Sequence, residues 1–271
     1  MIVFPNAKIN LGLHITSKRS DGYHELETCM YPIAWQDAME ILPSEKTRFE
    51  ALGLDIPGET QNNVCLKAYQ LIANDYPLMP LEIILQKNIP IGAGLGGGSA
   101  DAAFTIRAIN TYFELNLSVQ QMESYTKKIG ADCAFFIQNK PQLCYGIGDV
   151  FENCDVSLNE KYIVLVYPNL HISTAEAYAG VVPKKPALNL KECLSRPIEE
   201  WKEILKNDFE DSIFPQYPIL ASIKKDFYNL GAIYASMSGS GSTMFGIFDD
   251  EIEIPQLFRE YRIFKTKLTL Q

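Results

Sequence analysis

The sequence is poor in the residues that build metal or disulfide frameworks. Its six cysteines, Cys29, Cys65, Cys133, Cys144, Cys154 and Cys193, include no CxxC pair, and its three histidines, His14, His24 and His171, show no zinc-ligand spacing. That excludes a zinc ribbon or finger and predicts free, buried thiols in a reducing compartment. Positive charge is scarce too: 24 Lys and Arg stand against 33 Asp and Glu, a formal net charge of −9. The long-range field repels phosphate, which argues against nucleic acid or an anionic membrane as partner. No apolar run reaches bilayer length, and the apolar opening MIVFPNAKINLGLHI is interrupted by Lys8 and Asn10, with no basic segment before it. A cytoplasmic protein is expected. The 271 residues, 47% hydrophobic and 21% charged, can bury a core without help from metal or disulfide.

The patterning is mixed. Ile9, Leu11 and Leu13 alternate with Asn10, Gly12 and His14, the period of a half-buried strand. The segment SDGYHE, residues 20–25, carries a tight-turn Asp-Gly, and Leu26 to Met39 reads as further strand. Asn63 to Asp75 reads as an amphipathic helix with Val64, Ala68, Leu71 and Ile72 on one face. A short apolar strand, 81–86, leads through a loop to a helix opening at Ser99, and another helix starts at Ser118, where Ser118 and Gln121 form a capping box. The polar stretch Glu152 to Glu160 is a plausible boundary, followed by the buried-type strand 161–168. Val181 to Leu188 reads as a surface loop, with helices around Glu199–Lys206 and Ile219–Leu230, the latter stopped by Gly231. Residues 232–248 read as strand, glycine-serine turn, strand. Without a βαβαβ rhythm, α+β is favoured over a doubly wound sheet.

One segment stands out: Pro90, Ile91, Gly92, Ala93, Gly94, Leu95, Gly96, Gly97, Gly98, Ser99 and Ala100, with five glycines in seven residues between a strand and an alanine-rich helix. Glycine permits positive φ and lets backbone N–H groups approach a ligand. The helix start aims unpaired N–H groups and a positive dipole end at the same spot, a setting for phosphate that does not need a basic protein. The loop is not a Walker A sequence, since Gly97-Gly98-Ser99-Ala100 lacks the Gly-Lys-Ser/Thr ending. It contains Gly92-x-Gly94-x-x-Gly97, but Lys87 to Pro90 intervene after the strand and the acidic residue about twenty positions on is missing.

In sequence, PIGAGLGGGSADAA resembles the second motif of the GHMP kinases, the galactokinase, homoserine, mevalonate and phosphomevalonate kinase superfamily. Ala7-Lys8-Ile9-Asn10-Leu11-Gly12-Leu13 and Met237-Ser238-Gly239-Ser240-Gly241-Ser242 match its other two motifs in the right order. With DGYHEL at 21–26 and Gly130-Ala131-Asp132, the set is similar to the branch that phosphorylates a cytidine diphosphate-linked methylerythritol. The resemblance spans residues 7 to 242. It implies a two-domain α+β fold, an N-terminal ribosomal-protein-S5-like domain over 1–155 and a C-terminal ferredoxin-like domain over 156–271, with the active cleft between them.

The resemblance also implies the site. ATP, with Mg²⁺, is held by residues 90–100; Asp132 accepts the proton of the acceptor's 2-hydroxyl, and Lys8 lies beside it. Read alone, Lys8 would be a solvated strand residue and Asp132 a cap or turn. Tyr23 and His24 are implied to hold the cytosine, Tyr178 to supply a second ring, Thr174 a polar contact, and Asn10 to support the methylerythritol end. His14 and His171 receive no role, and Cys133 is read as packing. The Ser238–Ser242 turn either closes over the phosphates or braces the first loop. Asn6 departs from the proline common in the first motif, and Ser99 lacks an obvious acidic partner for the metal; Asp101 reads equally well as a first-turn helix residue. Two further readings stay open: a homoserine- or mevalonate-type kinase, for which Tyr23 and His24 would have no nucleobase to hold, and a non-catalytic nucleotide sensor, which would need neither Lys8 nor Asp132.

Overall fold

The computed structural model describes residues 1–269. Its chain divides into two compact units interleaved in sequence: Met1–Lys8, Trp35–Ile91 and Gly96–Lys140 form the first, and Ile9–Ala34, Gly92–Leu95 and the chain from Pro141 onward form the second.

In the first unit a four-stranded sheet runs in the order Ile2–Val3, Ala38–Pro43, Leu81–Lys87, Arg48–Gly53. Ala38–Pro43 pairs antiparallel with Leu81–Lys87, which pairs parallel with Arg48–Gly53, so the helix Val64–Ala73 provides the crossover. That helix opens at Asn63, whose side chain accepts from the Cys65 N–H, and packs on the long helix Gly97–Tyr112. The helix Val119–Lys127 carries the expected capping box of Ser118 and Gln121. Leu81–Lys87 alternates strictly between buried and half-buried positions, which sends Leu81, Ile83, Leu85 and also Lys87 inward.

The second unit holds a sheet in the order Tyr234–Met237, Met244–Phe248, Tyr162–Tyr167, Arg262–Lys267, antiparallel throughout. Tyr162–Tyr167 is the central apolar strand foreseen, and the helix Pro218–Asn229 packs on Met244–Phe248 and Tyr234–Met237. Phe227 of that helix meets Phe248 and Phe258 with ring centroids at 6.2 and 5.3 Å, and all three are buried. A further sheet runs Asn6–Lys18, His24–Gln36, Gln142–Tyr145, Val150–Asn153, with residues 6–8 and 35–36 counted in the first unit.

Several expectations are corrected. The strand Asn6–Lys18 is not half-buried: its first ten residues are all buried, so Lys8, Asn10 and His14 lie inside with Ile9, Leu11 and Leu13. Leu26 to Met39 is two strands, broken at Asp37, whose N–H donates to the Pro5 carbonyl and whose side chain turns into the core. The glycine-loop helix starts at Gly97, two residues before Ser99. The strand Val150–Asn153, paired with Gln142–Tyr145, takes in the first two residues of the polar stretch Glu152 to Glu160. Helix around Glu199–Lys206 is a 3₁₀ turn, Ile198–Glu200, followed by Trp201–Ile204.

Candidate active site

Lys87 takes the last inward position of its strand, so its ammonium is carried inside and must be paired. Its Nζ lies 2.5 Å from Asp37 Oδ2 and 2.7 Å from Asp101 Oδ2, with all three residues buried. The other Asp37 oxygen accepts the N–H groups of Asn88 and Ile89 at 2.6 and 2.9 Å, the residues that lead into the glycine loop. Asp101 sits in the first turns of the helix beyond the loop, so one ion cluster ties both flanks of that segment within the first unit. Burial pushes the Asp101 carboxyl up to about 7, with Lys87 opposing and Asp37 adding to the shift, and its Oδ1 has no hydrogen-bond partner. Burial works against the Lys87 ammonium, but the two carboxylates more than offset it and hold its pKa above the ordinary value. Asp101 is therefore a core ion-pair partner. Among the described residues no group of three or more His, Cys, Asp or Glu side chains is placed to hold a metal ion.

The helix opens bare. Gly96, at φ +69°, is its N-cap and offers no side-chain acceptor, and the first intrahelical bond runs from the Ala100 N–H to the Gly96 carbonyl at 2.9 Å. The N–H groups of Gly97, Gly98 and Ser99 precede it, which is the arrangement that suits an anion. A Cβ on Gly97 would stand 2.9 Å from Ile89 Cγ2 and 3.0 Å from Lys87 Nζ, so packing forbids a side chain there. A Cβ on Gly98 would meet nothing within 4 Å. Packing does not demand glycine at 98; a ligand approaching the backbone would.

Lys8 and Asp132 belong to this unit. Lys8 Nζ lies 3.6 Å from Asp132 Oδ2, the lysine side chain 4% exposed and the aspartate side chain 36% exposed. That is an ion pair across 124 positions, with the carboxylate open to an incoming group and the ammonium sheltered behind it. Lys8 is held against the helix start: a Cβ on Gly96 would fall 3.2 Å from Lys8 Cε and 3.0 Å from the Phe136 ring. Asp132 lies in the 3₁₀ turn Ala131–Cys133, and the neighbouring Cys133 is buried with its thiol pushed up to about 11, chiefly by that burial, as packing requires.

The preceding part of the loop, Gly92–Leu95, belongs to the second unit, where the Met237–Ser242 turn braces it. The Ser238 hydroxyl donates to the Gly94 carbonyl at 2.9 Å, and the Thr243 N–H donates to the Ala93 carbonyl at 3.2 Å. Gly94, at φ +78°, could carry no Cβ, since that atom would lie 1.9 Å from the Ser238 carbonyl oxygen. The turn is itself held from behind: Asn207 Nδ2 donates to the Met237 and Gly239 carbonyls, both at 2.8 Å, and Glu210 accepts the Met237 N–H at 2.8 Å. Of the eleven loop residues, Pro90, Ala93, Leu95, Gly97 and Ala100 are buried, while Gly92 and Gly98 are exposed and Ile91, Gly94, Gly96 and Ser99 are intermediate. His171, given no role above, lies on the loop: a Cβ on Gly92 would be 2.5 Å from its Cε1 and 2.6 Å from its Nδ1.

The residues that the sequence resemblance ties to the acceptor are also in the second unit. The His24 and Tyr178 rings stack at 5.0 Å and 26°, and Tyr178 meets Phe209 edge-on at 4.9 Å. Burial, helped by Lys18, lowers the His24 pKa, which favours the neutral ring that can both donate and accept a hydrogen bond. Tyr23 is 61% exposed in the turn held by Arg19, Asp21 and Glu25. Thr174 is an exposed first residue of the helix Thr174–Ala179, which also carries Tyr178. Asn10 is buried and donates to the Thr28 hydroxyl at 2.9 Å, which in turn donates to the Gly12 carbonyl at 2.6 Å. His14 is structural, 3.6 Å from Asp208 and buried.

Sequence reasoning missed the Lys87 cluster, although one signal was present: Lys87 continues the inward register of Leu81, Ile83 and Leu85. Asn207 and Glu210 gave no comparable cue.

Comparison with known proteins places the chain in a family. The GHMP kinases N terminal domain matches residues 63–140 and the GHMP kinases C terminal domain matches residues 189–265. A Bacteroides thetaiotaomicron protein named 4-diphosphocytidyl-2-C-methyl-D-erythritol kinase is 50% identical over 260 residues, covering 94% of this chain and 95% of its own. One of the same name from Cytophaga hutchinsonii is 51% identical over 261 residues, 96% of each chain. A crystal structure of 4-(cytidine 5'-diphospho)-2C-methyl-D-erythritol kinase superposes with a TM-score of 0.79 at 28% identity, covering 91% of this chain and 90% of that one. The Methanococcus jannaschii mevalonate kinase, at 14% identity and a TM-score of 0.69 over 98% of this chain and 97% of its own, shares the fold. Matched by both family domains and about half identical to these relatives over nearly its whole length, the chain belongs to the GHMP kinase family.

Proposed function

We propose that the chain transfers the γ-phosphoryl group of ATP to the 2-hydroxyl of 4-diphosphocytidyl-2-C-methyl-D-erythritol, a step of the non-mevalonate isoprenoid pathway. The observation that carries it is the Lys8–Asp132 pair beside a bare helix start, in a chain about half identical to relatives bearing that name. Asp132 accepts the hydroxyl proton. Lys8 keeps that carboxylate ionised and offsets charge on the reacting oxygens. Phosphoryl transfer passes through a loose transition state, so positioning and charge stabilisation outweigh proton removal. The backbone of residues 90–100 holds the triphosphate, with the N–H groups of Gly97, Gly98 and Ser99 as its strongest donors. Magnesium arriving with ATP would supply charge neutralisation on the phosphates, and no residue of this chain is assigned to hold it.

On the acceptor side, Tyr23, His24 and Tyr178 hold the cytosine, with Thr174 as a polar contact and Asn10 supporting the methylerythritol end through the Thr28 network. The stacked His24–Tyr178 pair supports this reading, since a homoserine or mevalonate site has no base to face. The buried Lys8 paired with an accessible Asp132 favours a kinase over a nucleotide sensor. The division into domains 1–155 and 156–271 is part of the same reading, the two family matches falling on either side of it. So is a cytoplasmic location, with a small molecule rather than nucleic acid or membrane as partner; no helix among the described residues is long and apolar enough to cross a membrane. The test is incubation of the protein with Mg-ATP and the cytidylyl polyol, following ADP release and the new phosphomonoester by ³¹P NMR. ADP release coupled to that monoester is expected; its absence in a folded, ATP-binding preparation overturns the reading.

A further inference from the structure

Of the six cysteines, five are buried, and Cys154 is half-buried. Cys65, Cys133 and Cys193 have thiols raised by burial, so they stay protonated and inert. Cys154 differs in both neighbour and charge state. It follows the strand Val150–Asn153 and its sulfur lies 3.7 Å from that of Cys29, which sits inside the strand His24–Gln36 and donates its S–H to Cys154. The chain beyond Cys154 is held over the same strand, where the Leu158 N–H donates to the Tyr31 hydroxyl at 3.3 Å. The Cys29 hydrogen bond brings the Cys154 thiol down to about 7 against the opposing effect of burial, with a backbone bond from Val156 and the Lys191 charge helping and Asp155 resisting. Cys29, beside Cys154 and Cys144, is driven the other way and stays a thiol. The pair thus sets a half-buried sulfur of lowered pKa 3.7 Å from a buried protonated thiol, which is the arrangement of an oxidant-sensitive cysteine and its resolving partner.

We propose that Cys154 and Cys29 form an oxidation site that reacts with hydroperoxides and closes to an intramolecular disulfide. The Cys154 thiolate attacks the peroxide: the S–O bond forms, the O–O bond breaks, and the departing oxygen takes a proton as water or alcohol. The Cys29 sulfur then attacks the sulfenic acid, forming the S–S bond and breaking the S–O bond; the leaving hydroxide takes the Cys29 proton as water. The two sulfurs lose two electrons and the peroxide gains them. The sulfurs need to close only from 3.7 Å to about 2.0 Å. In a reducing compartment such a bond is transient, reversed by thiols. Nothing in this proposal depends on which acceptor the kinase uses.

The experiment treats the reduced full chain with graded hydrogen peroxide, blocks remaining thiols with iodoacetamide, and reads intact and peptide masses without reductant. The expected result is two fewer alkylated thiols than in the untreated chain together with the loss of two hydrogens (about 2 Da), a Cys29–Cys154 cross-linked peptide, and recovery of both thiols with dithiothreitol. In Cys29→Ser, the sulfenic acid on Cys154 has no resolving partner and is trapped by dimedone; in Cys154→Ser, Cys29 stays alkylatable at the same dose once the protein is denatured. The wild-type cross-link needs no variant, so the proposal is tested even if Cys29→Ser folds poorly. Two free thiols retained at a peroxide dose that oxidises free cysteine, or a disulfide that leaves out either residue, overturns it.

Discussion

Replacing Lys87 with methionine removes the one cation from a buried cluster of two carboxylates while keeping a side chain of similar length. In the native protein Nζ sits 2.5 Å from Asp37 and 2.7 Å from Asp101, with the three side chains 0–3% exposed. After the change, Asp37 keeps the Asn88 and Ile89 N–H groups, whereas Asp101 loses its ion-pair partner. Breaking a buried pair from one side costs about 3–5 kcal/mol. For a chain of 271 residues that corresponds to roughly 6–10 °C in Tm. The pH dependence has a definite sign. The folded-state pKa of Asp101 lies near 7, above its ordinary 3.8, so its contribution is fully present below about pH 4 and is lost as pH rises through about 7. Without Lys87 that pKa climbs further and the loss extends upward. Melting followed by circular dichroism from pH 5 to pH 8 should therefore show a deficit for Lys87→Met that widens as pH rises. A variant melting within about 1 °C of wild type at pH 7.5, or a deficit that widens toward pH 5, would rule out a stabilising Lys87–Asp101 ion pair.

Three further outcomes are expected. Asp132→Ala should still fold, with a lowered melt because the buried Lys8 ammonium loses this carboxylate, and should lower kcat by about 10²–10⁴-fold; the volume-conserving Lys8→Met should lower kcat in parallel, as steady-state ADP release will read. Gly94→Ala should fold poorly or lose ATP affinity because its Cβ would run into the Ser238 carbonyl at positive φ, whereas Gly98→Ala should fold normally and raise only the KM for ATP. Tyr178→Ala should raise the KM for the cytidylyl acceptor by roughly 2–10-fold while leaving the KM for ATP in place, since a ring pair contributes about 0.5–1.5 kcal/mol.

The readable parts of the sequence were those governed by local chemistry. Five glycines in seven residues announce a loop that must bring backbone close to something, and Ser118 with Gln121 announces a helix start; both stand as read. The helix after the loop begins earlier than Ser99 because Gly96 adopts a left-handed N-cap that serine preference does not foresee. Strands such as Arg48–Gly53 and Arg262–Lys267 left no periodic signal because they are largely exposed sheet edges. Alternation in Asn6–Lys18 suggested a wet face, but the strand is covered on both sides, which is why Lys8 is buried rather than solvated. The pairings that shape the site join residues far apart in the chain: Lys8 with Asp132, Lys87 with Asp37, Asn207 with Met237. Local pattern carries no information about such partners; only the family resemblance had linked the first pair.

Acceptor selectivity decides whether Lys8, Asp132 and the glycine loop work on a cytidylyl polyol. The purified protein with Mg-ATP should be given 4-diphosphocytidyl-2-C-methyl-D-erythritol, homoserine and mevalonate side by side, and kcat/KM measured from ADP release. Turnover confined to the cytidylyl acceptor is the predicted result. Equal or faster turnover of homoserine or mevalonate would contradict it, leaving the phosphate loop and Asp132 in place but removing the base pocket of Tyr23, His24 and Tyr178.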